Sequence, residues 1–177
     1  LGPGPLDNGT YHGALQDFRV ELRRPFQTRF VAVAPFVGVS IPSHEYETLG
    51  EAVPGKRRPE GVFGASAGVP LDAVLRGLYA EVRYGIGVTP PLHGFSAVRS
   101  NLNLETGYAV ATRLAFRGLF GWQFRLKGPL AAQLVSEWGA ERFIAEHDRF
   151  IVGNYFNAGA GATISLTRSI DIDAVWV

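Results

Sequence analysis

The sequence predicts an all-β chain, a single antiparallel up-and-down β-barrel of about eight strands and of the transmembrane type. Three observations predict it. Period-two alternation recurs along most of the 177 residues, the signature of strands with two unlike faces. Glycine numbers 22 and aromatics reach 12%, a pairing commoner in barrels and sandwiches than in helix bundles. Many of the alternating runs attain the roughly nine to eleven residues that a tilted strand needs to cross hydrocarbon.

The elements follow in chain order. In 14–23, Phe18, Val20 and Leu22 oppose Asp17, Arg19, Glu21 and Arg23. In 28–41, Val31, Val33, Val37, Val39 and Ile41 oppose Ala32, Ala34, Phe36, Gly38 and Ser40, a second face that is small rather than charged. Segment 77–89 sets Leu78, Val82, Tyr84 and Ile86 against Tyr79, Glu81, Arg83 and Gly85. Segments 102–117 and 119–127 continue the alternation, with Leu104, Tyr108, Phe116, Phe120 and Trp122 opposing Glu105, Gly107, Arg113, Gly121 and Arg125. Strands 150–167 and 169–177 close the list, the latter alternating Ile170, Ile172, Ala174 and Trp176 with Asp171 and Asp173.

Two runs also fit helical spacing: Leu71 to Val82 after Pro70, and Leu130, Leu134 and Trp138 after Pro129, where proline suits a first helical turn. The second run alternates as well, and 129–138 is assigned as a strand. Tight links are expected at 24–27, 117–118, 128–129 and 167–169. Residues 42–70, rich in Gly, Pro and charge, are expected to form one long loop. Residues 1–177 read as one domain, with 1–9 a flexible terminus. The start at Leu1, without a basic-then-apolar leader, suggests a processed or trimmed form.

Composition narrows the function classes. The chain is 46% apolar and 19% charged, which excludes disorder. A net charge of +1 supplies none of the strongly basic character expected of a nucleic-acid partner. With no cysteine, a disulfide framework, a thiol nucleophile and a Cys-based zinc site are excluded. No apolar run is long enough for a membrane helix.

Alternation alone does not say which face is wet. In a soluble barrel the apolar face fills the interior, whereas in an outer-membrane barrel the polarity is inverted. Inversion is favoured by large aromatics on the apolar faces near strand ends, with Tyr108, Phe120, Trp122, Trp138 and Trp176 expected at the membrane interface. The polar faces carry mostly small residues and scattered charges of both signs: Arg19, Glu21, Arg23, Glu81, Arg83, Glu105, Arg113, Arg125, Glu137, Asp171 and Asp173. Inside a narrow barrel such charges must pair to offset desolvation, and arginine is the better partner there. An even strand number permits closure, which satisfies every backbone group in lipid.

The stretch Ala158-Gly159-Ala160-Gly161-Ala162-Thr163-Ile164-Ser165-Leu166-Thr167-Arg168-Ser169-Ile170-Asp171-Ile172-Asp173-Ala174-Val175-Trp176 resembles the glycine-alternating strand, short turn and aromatic-ended strand of OmpA/OmpX/OmpW-type small outer-membrane barrels. The resemblance implies an outer-membrane location and membrane lipid, including lipopolysaccharide, as partner. It is specific over this one hairpin and one of pattern elsewhere. Val177 after Trp176 departs from the usual aromatic end, and the expected link lengths put both termini on the side of the long loop, where the family has periplasmic termini.

Candidate chemistry is sparse. Ser43-His44-Glu45 offers a hydroxyl, an imidazole and a carboxylate, but neighbours in sequence point apart where a triad must converge. Glu45, Glu47 and His44, and likewise Glu146-His147-Asp148, lack the spacing of a strong metal motif. His12 and His93 read as ordinary terminal or loop residues. Lys56-Arg57-Arg58 is a compact positive cluster that could meet lipid headgroup phosphates. No metal or other cofactor is expected. The expected work is structural, adhesive or another envelope interaction around a side-chain-filled or very narrow lumen. Two alternatives stay open: a lipid-modifying hydrolase using His44 with Ser43 or Glu45, and a soluble barrel holding an apolar ligand among Phe18, Val33, Val82 and Leu114.

Overall fold

The computed structural model describes residues 17–44, 57–140, 143, 153–167 and 171–176. Nine strands form one antiparallel sheet: β1 (Phe18–Arg23), β2 (Phe26–Gln27), β3 (Ala32–Ile41), β4 (Glu60–Pro70), β5 (Leu78–Leu92), β6 (Phe95–Ala111), β7 (Leu114–Lys127), β8 (Tyr155–Ser165) and β9 (Asp171–Trp176). Each strand neighbours the next in chain order, except that β1 and β2 both pair with β3 along the same edge. They therefore act as one interrupted strand, and eight strand paths curl into a half-barrel of up-and-down topology. β1 and β9 are its two edges, and no pairing joins them among the described residues.

Local chemistry explains the boundaries. The β1–β2 interruption at Arg24-Pro25 lies opposite Pro35, where two prolines withhold ladder donors, and Arg24 N–H recovers one bond by donating to the Pro35 carbonyl at 3.1 Å. The first turn is consequently 28–31, closed by Thr28, rather than 24–27. His93 and Gly94 both adopt positive φ, 51° and 82°, the geometry of a tight two-residue hairpin between β5 and β6. Gly77, at φ 85°, takes Asp72 as an acceptor for its N–H at 2.7 Å and so ends the 71–77 link.

Four expectations change. Segment 42–70 is not one loop, because its last eleven residues are β4, inserted between β3 and β5. Its alternation is muted by Gly61, Gly64, Ala65, Ala67 and Gly68. Residues 131–138 form a helix, α1 (Ala131–Trp138), with Leu134 fully buried. Leu130, Leu134 and Trp138 share one helical face, and no strand partners the run. Residues 71–77 form a turn-rich link, so the helical spacing from Leu71 to Val82 corresponds to no helix. Finally, β6 and β7 turn at Thr112-Arg113, whereas Arg117-Gly118 lies within β7 opposite Gly107 and Thr106.

The curl gives the strands two environments. Convex-face side chains are apolar and exposed, including Val82, Leu104, Phe116, Trp122, Phe156 and Ile172. The alternate positions point into the concavity, where Ala34, Phe36, Val62, Ser66, Ala97 and Gln123 are all buried. The described link residues 42–44, 57–59, 93–94, 128–130 and 153–154 lie at one end of the sheet, together with the start of β1 and the finish of β9. Links 28–31, 71–77 and 112–113, with residues 166–167, lie at the other.

Candidate functional site

The concave face is where chemistry concentrates, in three clusters arranged along the strands. Nearest the short-link end, the Tyr79 hydroxyl donates to Glu105 Oε1 at 2.7 Å, while Arg117 stands 3.8 Å from Glu105 Oε2. Gly107 makes this possible, since a Cβ there would overlap the Tyr79 ring. Bare backbone on one strand is the resting place of a large side chain from the next.

The middle cluster spans four strands. Arg83 on β5 reaches Glu21 on β1 at 2.6 Å, passing over β3 and β4. Three strand spacings in a flat sheet would amount to about 14 Å, a span that the curl shortens. Between them lies Phe36, 5% exposed, with Arg83 Cζ 3.5 Å above the ring centroid. A Cβ on Gly64 would come within 2.8 Å of Phe36 Cζ. Glycine on β4 thus lets the ring sink against the sheet, and the ring carries the guanidinium. Arg19 and Arg23 flank Glu21 at 3.5 and 3.4 Å, but both are more than half exposed, where ion pairs contribute little.

Toward the opposite end, Arg99 on β6 binds Glu60 on β4 through two parallel hydrogen bonds of 2.6 Å each, a fork that crosses β5. The same guanidinium donates to Gln123 Oε1, and Gln123 Nε2 donates to the Gly153 carbonyl at 3.0 Å. Arg58 is buried and donates to the carbonyls of Pro90 and Phe95 at 2.6 and 3.2 Å. Beside it, Trp138 of α1 meets the rings of His93 and Phe95 edge-on, at 6.0 and 5.4 Å between centroids. Between the first two clusters a cavity of about 310 Å³ is lined in part by Glu81, Arg83, Asn103, Glu105 and Asn157.

Of the charges expected inside, Arg19, Glu21, Arg23, Arg83 and Glu105 take part in ion pairs, and Glu81 lines the cavity without one among the described residues. Arg113 sits exposed in the β6–β7 turn, so it is not an interior residue. Arg125 is likewise exposed and forms no ion pair among the described residues. Glu137 belongs to α1 and accepts from Gln133 one helical turn back. Asp171 and Asp173 lie on β9 opposite Ser165 and Thr163; their side chains are outside the described residues.

Among the aromatics, Tyr108, Trp122 and Trp176 are exposed on the convex face and Phe120 stacks on Phe156 there. Trp138 is on the helix, packed against a hairpin, and is no strand residue. Lys56 lies outside the described residues, and the buried Arg58 is not offered to a headgroup; Arg57 follows a positive-φ backbone beside it.

Sequence reading missed Glu60, Arg99, Arg117, Tyr79 and Gln123. The first fell in the expected long loop, the second between two expected strands and the third at an expected link. The available signal was glycine on the inward positions of neighbouring strands, each marking where a large side chain lies.

Ser43 Oγ and His44 Nδ1 approach to 2.8 Å at the end of β3, while Glu45, Glu47, His12 and 146–148 lie outside the described residues. Phe18, Val33, Val82 and Leu114 lie on the convex face rather than around an enclosed cavity, Phe18, Val33 and Val82 being exposed there. No group of three metal-ligating side chains occurs among the described residues. No helix among them is long and apolar enough to cross a membrane, which bears on helices alone. Compared with family profiles, curated proteins and solved structures, the chain matches none.

Proposed function

We propose that this chain is an integral outer-membrane barrel of the OmpA/OmpX/OmpW type, with a structural, adhesive or envelope-interaction role and a lumen filled by its own side chains. One observation carries the reading: large apolar side chains stand exposed on the convex face, while arginines and glutamates of the same strands meet inside. In water that arrangement leaves hydrocarbon wet across eight strands, far beyond the few hundred Å² of contiguous apolar surface usual for a soluble monomer. In lipid it is the expected polarity.

Aromatic placement agrees. Tyr108 and Phe116 face each other near one end of β6 and β7, and Trp122 and Phe124 lie near the other. Phe116 and Phe124 are eight residues apart, about 26 Å along a strand and about 20 Å along the bilayer normal at the usual strand tilt of about 40°, within the roughly 25 Å apolar band of such barrels. The reading entails that the edges β1 and β9 are paired in lipid, because unpaired ladder groups in hydrocarbon cost several kcal/mol each.

The test is refolding by dilution from urea into phosphatidylcholine vesicles. We expect the chain to float with the vesicles, to migrate on gels in a heat-modifiable way, and to give little or no conductance in planar bilayers. Monodisperse monomer in water without detergent would overturn the membrane assignment, and large stable channels would overturn the filled lumen.

A further inference from the structure

The short-link end of the sheet carries a ring of cations that the interior networks do not use. Each of its three described links presents one arginine near its tip: Arg29 in 28–31, Arg76 in 71–77 and Arg113 in 112–113. All three are exposed, and none has an ion-pair partner among the described residues. The one carboxylate in these links, Asp72, is committed to the Gly77 N–H.

Two of these arginines, Arg29 and Arg76, stand among exposed apolar side chains of their own links. Phe30 is 70% and Val74 78% exposed, and the Arg29 guanidinium lies 5.3 Å from the Phe30 centroid. At the other end the described charges are of mixed sign, with Asp17 and Glu137 among Arg57, Arg125 and Lys127.

Resting on the membrane reading above, we propose that this rim is a binding surface for the phosphates of anionic lipid headgroups. Charge complementarity selects the partner. Guanidinium groups suit phosphate oxygens by geometry, and cations beside an anionic bilayer surface gain electrostatic attraction. The interleaved Phe30 and Val74 side chains enter the acyl boundary, holding the arginines at headgroup depth. An acidic protein partner would not need the apolar side chains beside Arg29 and Arg76.

The experiment takes the full chain with one reporter tryptophan near this rim, F116W, its own Trp122, Trp138 and Trp176 toward the other end replaced by Phe and all arginines unmodified, reconstitutes it in phosphatidylcholine bilayers and measures quenching of the reporter emission by brominated phosphatidylglycerol against brominated phosphatidylcholine. At low salt the anionic lipid is expected to be preferred by roughly fivefold, the effect of about one surface cation. The preference should collapse at 0.5 M salt, on the order of the ionic strength that shortens screening below headgroup spacing. The variant R29Q/R76Q/R113Q should lose it while keeping its quenching by the neutral lipid, which reports that the variant is still folded and inserted. The control variant R57Q/R125Q/K127Q, at the other end, should retain it.

Equal quenching by the two lipids in the reporter chain with its arginines unmodified, or loss of preference in the control variant, overturns the inference alone. Absence of quenching by either lipid overturns the membrane reading and this inference with it.

Discussion

The two faces of one sheet use the same backbone to opposite ends. On the concave face a polar side chain such as Gln123 is 3% exposed, while on the convex face Trp122, its neighbour in sequence, is 43% exposed. Burial here follows curvature rather than polarity. The concave side is narrow enough for Arg83 to reach across two strands, and the convex side has nothing to cover it. Stability inside accordingly comes from directed contacts with exact partners, whereas outside it depends on the solvent supplied.

Breaking the concave face at its centre should cost most. Phe36→Ala removes the ring on which Arg83 rests and opens a gap above Gly64, so a loss of about 3–5 kcal/mol is expected, read as a shift in the urea midpoint of vesicle-reconstituted protein. A change near zero would mean that the ring is not a packing centre.

The convex face should answer next, and only in lipid. Leu104→Arg places a charge in the apolar band between Tyr108 and Trp122 and should cost about 2–4 kcal/mol in phosphatidylcholine bilayers. The same change at a water-facing site would be neutral within about 0.5 kcal/mol, so the sign and size of this one variant separate a lipid-facing surface from a wet one.

The smallest effect sharpens the contrast within the interior. Arg19→Gln should change stability by less than about 0.5 kcal/mol, because its pair with Glu21 is mostly solvated. Arg83→Gln, at the same carboxylate but 20% exposed and stacked on Phe36, should exceed it clearly in the same titration.

Legibility in sequence divides along the same line. The convex face can be read directly, because Val, Leu, Phe and Trp at every second position leave a strong period. The concave face is harder, since its partners lie on different strands and no local pattern pairs Glu60 with Arg99 or Glu21 with Arg83. β4 escapes notice because its alternate positions 62–68 are Val, Gly, Ser and Gly on one face and 63–69 are Phe, Ala, Ala and Val on the other, so the contrast fades. The strand number near eight nonetheless agrees, through two errors that offset one another: a helix counted as a strand and a strand counted as loop. Gly118 misleads in another way, since a glycine inside a long strand looks like a turn until its partner Thr106 is known.

The Arg83–Glu21 bond joins residues 62 positions apart, while each link between them spans eighteen residues or fewer. Ladders can therefore zip from neighbour to neighbour, but this clasp has to wait until the strand paths between its two ends stand in register, because loop closure over such a span is paid in chain entropy first. The bend of the sheet is then a late event in assembly, locked by one guanidinium, and a ribbon lacking it would be complete in every ladder yet slow to take its arc.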